Sequence, residues 1–217
     1  MRASVQIADV SPRTALATLG KAPKPGKVPG MRWSKTFLAA PLREQFLPKP
    51  SLKRVALLSF WDDDAALDAY MFPAAFIEGW SARLEPLRVH GSWPGVDTDL
   101  TTARKVDYTG PAVVFTLGRL RISQGARFLR FSARAEKAVL GAPGCTWATG
   151  LGRPPFVATC SLWENSDAIA AYAFAPGAHC DAVDEGRRKA FHKQEAFIRF
   201  RPYATRGNLS GANSLAG

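Results

Sequence analysis

The residues best suited to metal, nucleophilic or acid–base chemistry in this 217-residue chain are three histidines and three cysteines. His179 and Cys180 fall in the segment AYAFAPGAHCDAV, and His192 follows shortly after. The pattern predicts a helix over 177–191, in which His179, Val183, Gly186 and Ala190 share one face. Apart from the histidine, that face is apolar or small and suits burial or the close approach of a flat ligand. His179 stands in the first turn, where the positive helix end disfavours imidazolium and keeps the ring neutral. A neutral imidazole is what a metal ion or haem iron binds. It is also what a hydrogen-bonded structural histidine presents, and both readings stay open on spacing alone. Trp147, Trp163, Tyr172 and Phe174 could wall a haem or simply pack a core. His90 and His192 read as solvent-facing or turn residues. Cys145, Cys160 and Cys180 form no C-x-x-C or zinc-finger spacing and read as buried thiols.

No H-E-x-x-H, P-loop, G-x-S-x-G or strand-to-helix G-x-G-x-x-G is present. No nucleophile triad or acid–base pair stands out, so an enzyme built on this sequence takes its hard chemistry from a cofactor. Asp62, Asp63 and Asp64 directly follow a β-rich run. Carboxylates there cap a helix and oppose its positive end, so they read as a helix start before a metal site. Arg119, Arg121, Arg127, Arg130 and Arg134 interleave with Phe128, Leu129 and Phe131, which suits an anionic group, a lipid headgroup or a solvated helix face.

The scaffold that must position these residues is duplicated. VALLSFWDDDAALDAYMF (55–72) and VATCSLWENSDAIAAYAF (157–174) align without a gap at 8 of 18 positions, offset by 102. RLEPLRVHGSWPG (83–95) and RFRPYATRGNLSG (199–211) align at an offset of 116. The second copy therefore carries an insertion between Phe174 and Arg199, where the helix with His179 is expected. Predicted strands cover 4–10, 55–61, 83–95, 111–120, 145–152, 156–163 and 196–203. Predicted helices cover 31–42, 65–71 with a further turn or two through 76–80, 124–140, 164–174 and 177–191. Each half reads strand, helix, strand, strand, helix, strand, the ferredoxin-like order. The expected fold is α+β: tandem ferredoxin-like units, 1–107 and 108–217, forming the pseudo-twofold counterpart of a dimeric α/β barrel.

A hydrophobic content of 47% with 11% aromatics supports a packed globule. No apolar run is long enough for a transmembrane helix, and the N-terminus is a poor signal peptide, so the expected location is the cytoplasm. The net charge of +11 favours anionic partners. Without a nucleic-acid motif, a lipid surface or acidic ligand is the better expectation for a partner, and a merely basic soluble protein fits the charge equally well.

FLPKPS (46–51), RVHGSWPG (88–95), TWATGLGRPP (146–155), SLW (161–163), AYAFAPGAHCDAV (171–183) and QEAFIRFRPYATRG (194–207) together resemble the spheroidene monooxygenase family, the carotenoid ketolases of purple bacteria and their relatives. The resemblance covers most of residues 46–211; the first 45 match poorly. It implies a dimeric α/β-barrel fold and a haem-containing oxygenase, with haem b as cofactor. It further implies His179 as the iron ligand. Tyr172, Trp147 and Phe128 are expected, as aromatic side chains and not from the resemblance, to contact the cofactor. The expected substrate is apolar, carotenoid-like or polyene; peripheral association with the inner membrane is compatible with it, and the sequence does not identify an electron donor. A homo-oligomer is compatible with the fold. Two other functions fit a barrel of this kind: a cofactor-free monooxygenase or cyclase of secondary metabolism, and a non-catalytic module that binds a hydrophobic ligand.

Overall fold

Alternation of apolar and polar side chains along β-branched and aromatic runs dictates most of this chain's architecture. A computed structural model describes residues 1–42, 52–103, 105–174 and 190–208. In the first half, β1 (Arg2–Asp9), α1 (Pro12–Gly20), β2 (Met31–Pro41), β3 (Arg54–Trp61), α2 (Asp64–Ala69) and β4 (Trp80–Gly91) follow in order. The second half gives β5 (Ala112–Leu120), α3 (Gly125–Leu140), β6 (Cys145–Arg153), β7 (Phe156–Trp163), α4 (Ser166–Phe174) and β8 (His192–Arg206). The eight strands close into an antiparallel barrel in the order β1-β3-β2-β6-β7-β5-β8-β4. Each half contributes a ferredoxin-like sheet, and the seams are β2 against β6 and β4 against β8.

Caps explain where the helices begin. Ser11 Oγ accepts from Thr14 N, with Pro12 opening α1. Asp63 accepts from Ala66 N at 2.9 Å, and Asn165 from Ala168 N at 2.8 Å. The aspartate triplet is thus a helix start, as expected. Asp63 caps α2, while Asp62 binds Arg32 and Asp64 binds Arg2.

Two expectations need correction. Residues 31–42 form a strand, not a helix: Trp33 and Phe37 are spaced by four, which satisfies a period of two as well as a helical turn. The alternation decides, because Trp33, Phe37 and Ala39 enter the barrel core while Leu38 packs outside it. The helix α1 has no counterpart in the expected list, although Ser11-Pro12 is a start signal. Most of the expected helix at 177–191 lies outside the described residues; Ala190 and Phe191 precede β8. The segment 76–80 yields only a 3-10 turn at Ala74–Phe76 before β4 begins at Trp80.

Register reveals the internal symmetry. Trp61 pairs with Arg2 and Met31, and Trp163 pairs with Ala112 and Cys145. Both strands that follow a first helix carry a bulge at the same place, before Trp33 and before Trp147. The barrel interior is filled. Phe115 and Phe200 ring centroids lie 4.9 Å apart, Trp33 and Phe60 5.1 Å, and Trp33 and Trp93 5.7 Å. An eight-stranded barrel is just wide enough for its own side chains, and burying each such aromatic contributes about 1.5–3 kcal/mol. Any ligand site of size must therefore lie outside the barrel, on the faces that the helices cover.

Candidate functional site on the outer face of the second repeat

The two outer faces occupy equivalent positions but carry different side chains. On the first, Gln6, Ala8, Thr36 and Leu57 are buried, under cover that includes Ala15 and Phe76. A shallow cleft persists there, lined among others by Thr14, Lys21, Leu57 and Phe76. The register places Thr116 opposite Thr159 where the first repeat has Gln6 opposite Leu57. It places Gly118 where the first has Ala8, and Gly150 and Gly152 where it has Thr36 and Leu38. Every one of these five replacements is smaller. Thr116, Gly150, Gly152, Val157 and Thr159 are only half-buried. A Cβ built on Gly152 would meet nothing within 4 Å. The second face is thus lined by glycine and threonine, with space for a side chain at Gly152 among the described residues.

Aromatic side chains stand at its edges. Tyr172 of α4 packs on Trp163 with centroids 5.4 Å apart and the rings tilted by 39°. Phe128 of α3 meets Phe191 at 6.0 Å and His192 at 5.3 Å. Of the expected cofactor contacts, Tyr172 and Phe128 therefore reach this side of the sheet. Trp147 packs against the barrel interior, on the other side. His179 lies outside the described residues, as do Cys180 and the side chains of Phe174 and Arg134. Arg127 stacks over Phe191 at 5.0 Å, and Arg121 donates to the His192 carbonyl at 3.3 Å. Arg119 instead sits beside Phe156, where Lys35 lies 4.2 Å from the same ring. Burial, helped by Arg153 and Arg119, holds the Lys35 ammonium below its ordinary range.

His192, expected to be a solvent-facing or turn residue, opens β8 with most of its side chain covered. Its side chain is 15% exposed, and Nδ1 lies 2.8 Å from Glu195 Oε2. The ring lies against Gly118, where a Cβ would fall 2.6 Å from both Nε2 and Cδ2. Only glycine leaves room for it. The bond from His192 holds the Glu195 carboxyl below its usual range, against the opposing effect of burial. The sequence signal was His-x-x-Glu at the head of a strand. It is cryptic because residues three apart on a regular strand face opposite ways; here the ladder shifts register between Arg119 and Leu120, at the pairing of His192.

The described cysteines do no such work. Burial pushes the Cys145 thiol up to about 11 and the fully enclosed Cys160 thiol further still. Both stay protonated, which suits neither a nucleophile nor a metal ligand. Among the described residues, no three His, Cys, Asp or Glu side chains converge as metal ligands. His90 is exposed, its ring 6.2 Å from that of Phe197.

Comparison with known proteins decides the family. Spheroidene monooxygenase from Rubrivivax gelatinosus is 31% identical over 193 residues, spanning 84% of this chain and 73% of that protein. The chain belongs to the spheroidene monooxygenase family. It is accordingly an oxidoreductase of the monooxygenase type. The spheroidene monooxygenase of Cereibacter sphaeroides is 22% identical over 181 residues, and the match covers 78% of this chain but only 56% of that longer protein. No family model matches the chain. Among solved structures, an aldoxime dehydratase aligns over 93% of this chain and 80% of its own at 8% identity and a TM-score of 0.49, too distant to assign any residue.

Proposed function

We propose that this member of the spheroidene monooxygenase family is haem-dependent and oxygenates an apolar, polyene-type substrate on the outer face of its second repeat. The observation that carries the site is the contrast between equivalent positions of the two faces: where the first carries Gln6, Thr36, Leu38 and Leu57, the second carries the smaller Thr116, Gly150, Gly152 and Thr159. The substrate class follows from the relatives' name.

The described residues fit a haem. A flat macrocycle needs a floor free of protruding side chains, apolar walls and cations for its carboxylates. Gly150 and Gly152 supply the first, and Phe128 and Tyr172 the second. Arg121 and Arg127 stand at the rim. The iron ligand is assigned to His179 on the family resemblance. Haem, when bound, supplies the reductive activation of dioxygen that amino-acid side chains cannot perform. The protein's own part is to hold an apolar substrate against this face and exclude water. The chain divides into units 1–107 and 108–217, with the ligand-bearing insertion in the second. The net charge of +11 favours docking at an anionic bilayer in which such a substrate dissolves. Among the described residues, no helix is long and apolar enough to cross a membrane. Electrons come from a separate donor.

The test is an absorption spectrum. Purified protein, as isolated or after haemin addition, should show a Soret band that His179→Ala abolishes. Protein that takes up no haemin overturns haem dependence, and turnover of substrate by that colourless protein would place the chain with the cofactor-free barrel monooxygenases.

A further inference from the structure

Monooxygenation puts one atom of dioxygen into the substrate and releases the other as water. The balance takes two electrons from an external donor and two protons, and a proton must arrive at the oxygen that departs as water. A group able to deliver it must stand on the same face as the proposed site, be reloadable from solvent and be held in one orientation.

We propose that His192 is the proton-delivering residue of this face and that Glu195 positions it. This inference rests on the second repeat's outer face being the site of oxygen chemistry. Nδ1 is tied to Glu195 at 2.8 Å. A carboxylate on that nitrogen fixes the neutral ring as the Nδ1–H tautomer and leaves the exchangeable lone pair on Nε2. Nε2 has no hydrogen-bond partner among the described residues, and the ring covers Gly118 on the same outer face as Thr116. Phe128 and Phe191 flank the ring with centroids 5.3 Å and 6.3 Å away, fixing its plane. The side chain keeps 15% of its surface exposed, enough to reload from water. The charged and titratable groups nearest it are Glu195 on its own strand, Arg121 after β5 and Arg127 on α3, and His90 on β4 acts on Glu195. In the step itself, Nε2–H gives its proton to the departing oxygen. Glu195 stabilises the charged ring beforehand, and solvent returns a proton to Nε2 afterwards.

The experiment uses the full chain reconstituted with haemin, hydrogen peroxide as oxidant and the dye ABTS as a two-equivalent electron source. Peroxide, two protons and two dye molecules yield two waters and two dye radical cations, so the substrate need not be known. His192→Asn should retain the Soret band and lose about 100-fold or more in rate, the lower range for general acid–base catalysis. Imidazole in the buffer should restore part of that rate. Glu195→Ala should reduce it less. In the haem-free protein, the nitrogen-15 shifts of His192 should report the Nδ1–H tautomer, and Glu195→Ala should mix the two tautomers. An unchanged rate in His192→Asn overturns the proposal, and so does loss of its Soret band, which would make His192 a ligand or a structural residue. Wild-type protein that takes up no haemin overturns the haem reading, and this inference falls with it.

Discussion

Glu85 and Arg201 form an ion pair across the β4–β8 seam, and they are the same position of the two repeats. Their neighbours show it: Leu84 pairs with Pro202 and Pro86 with Phe200, so the pseudo-twofold axis passes between the two charges. It leaves the barrel on the opposite side between Leu38 and Gly152, again equivalent residues paired with each other. The chain has thus placed opposite charges at a self-facing position, which a homodimer of identical repeats could not do. Arg2 adds a second cation, 3.0 Å from Glu85. The side chains of Glu85 and Arg201 are 31% and 47% exposed, so solvent screens the pair. Glu85→Ala should therefore cost only about 1 kcal/mol in urea unfolding, less in high salt. A loss several times larger that is indifferent to salt would mean that the charges, not the backbone ladder, hold the seam.

The recurring tryptophans make a second, asymmetric prediction. Trp163 Nε1 donates to Ser161 Oγ at 2.9 Å. Trp61 Nε1 has two acceptors, Ser59 Oγ at 3.1 Å and Ser4 Oγ at 3.2 Å. Ser161→Ala leaves a buried indole N–H with no partner and should cost about 1–3 kcal/mol, whereas Ser59→Ala leaves Ser4 in place and should cost clearly less. Chemical denaturation of the two variants side by side checks the order; equal losses would show that the serines matter only as packing.

These pairs also show what was legible in the sequence. Ser-x-Trp recurs in SFW and SLW because successive residues of like parity share a strand face, so the serine serves the tryptophan from the same side. A short local pattern of this kind survives in sequence, and it revealed the duplication and the ferredoxin-like order. The register did not. Nothing in TWATG alone says that Trp147 faces inward, because that depends on the bulge after Cys145. The site was half legible for the same reason. Tyr172 and Phe128 lie on predicted helices, and the structure brings both to the second outer face. His192 and Glu195 meet only through a register shift, and the glycine floor is visible only once the two faces are superposed.

Acid should loosen the first repeat through Asp9. Arg54 binds this carboxylate with Nε at 2.6 Å and Nη2 at 2.7 Å, and that bond holds its pKa below the ordinary carboxylate value in spite of some desolvation. A depressed folded value means that the stabilisation is fully present above the unfolded value of about 3.9 and is lost as pH falls through it toward the folded value. The urea midpoint should therefore decline below about pH 5. The decline should be shallower in Asp9→Asn, which has already lost the ion pair at neutral pH. An acid limb identical in the two proteins would assign it to other carboxylates.

The sharpest test of the site fills it without touching any proposed catalytic group. Leu38 and Gly152 are equivalent, and the first repeat tolerates leucine there. A Cβ at Gly152 meets open space, its backbone is not in the left-handed region, and a strand interior favours leucine over glycine. Gly152→Leu should therefore fold with a stability within about 0.5 kcal/mol of the parent, or higher. Its side chain would stand up from the floor beside Gly150, where a flat ligand must lie. Haemin uptake and oxygenation should both fall at least tenfold while the melting temperature holds. The matching change on the first face, Leu38→Gly, should leave haemin uptake intact and lower stability instead, since it removes an apolar side chain packed outside the barrel. Undiminished haemin binding in Gly152→Leu would move the site off this face altogether.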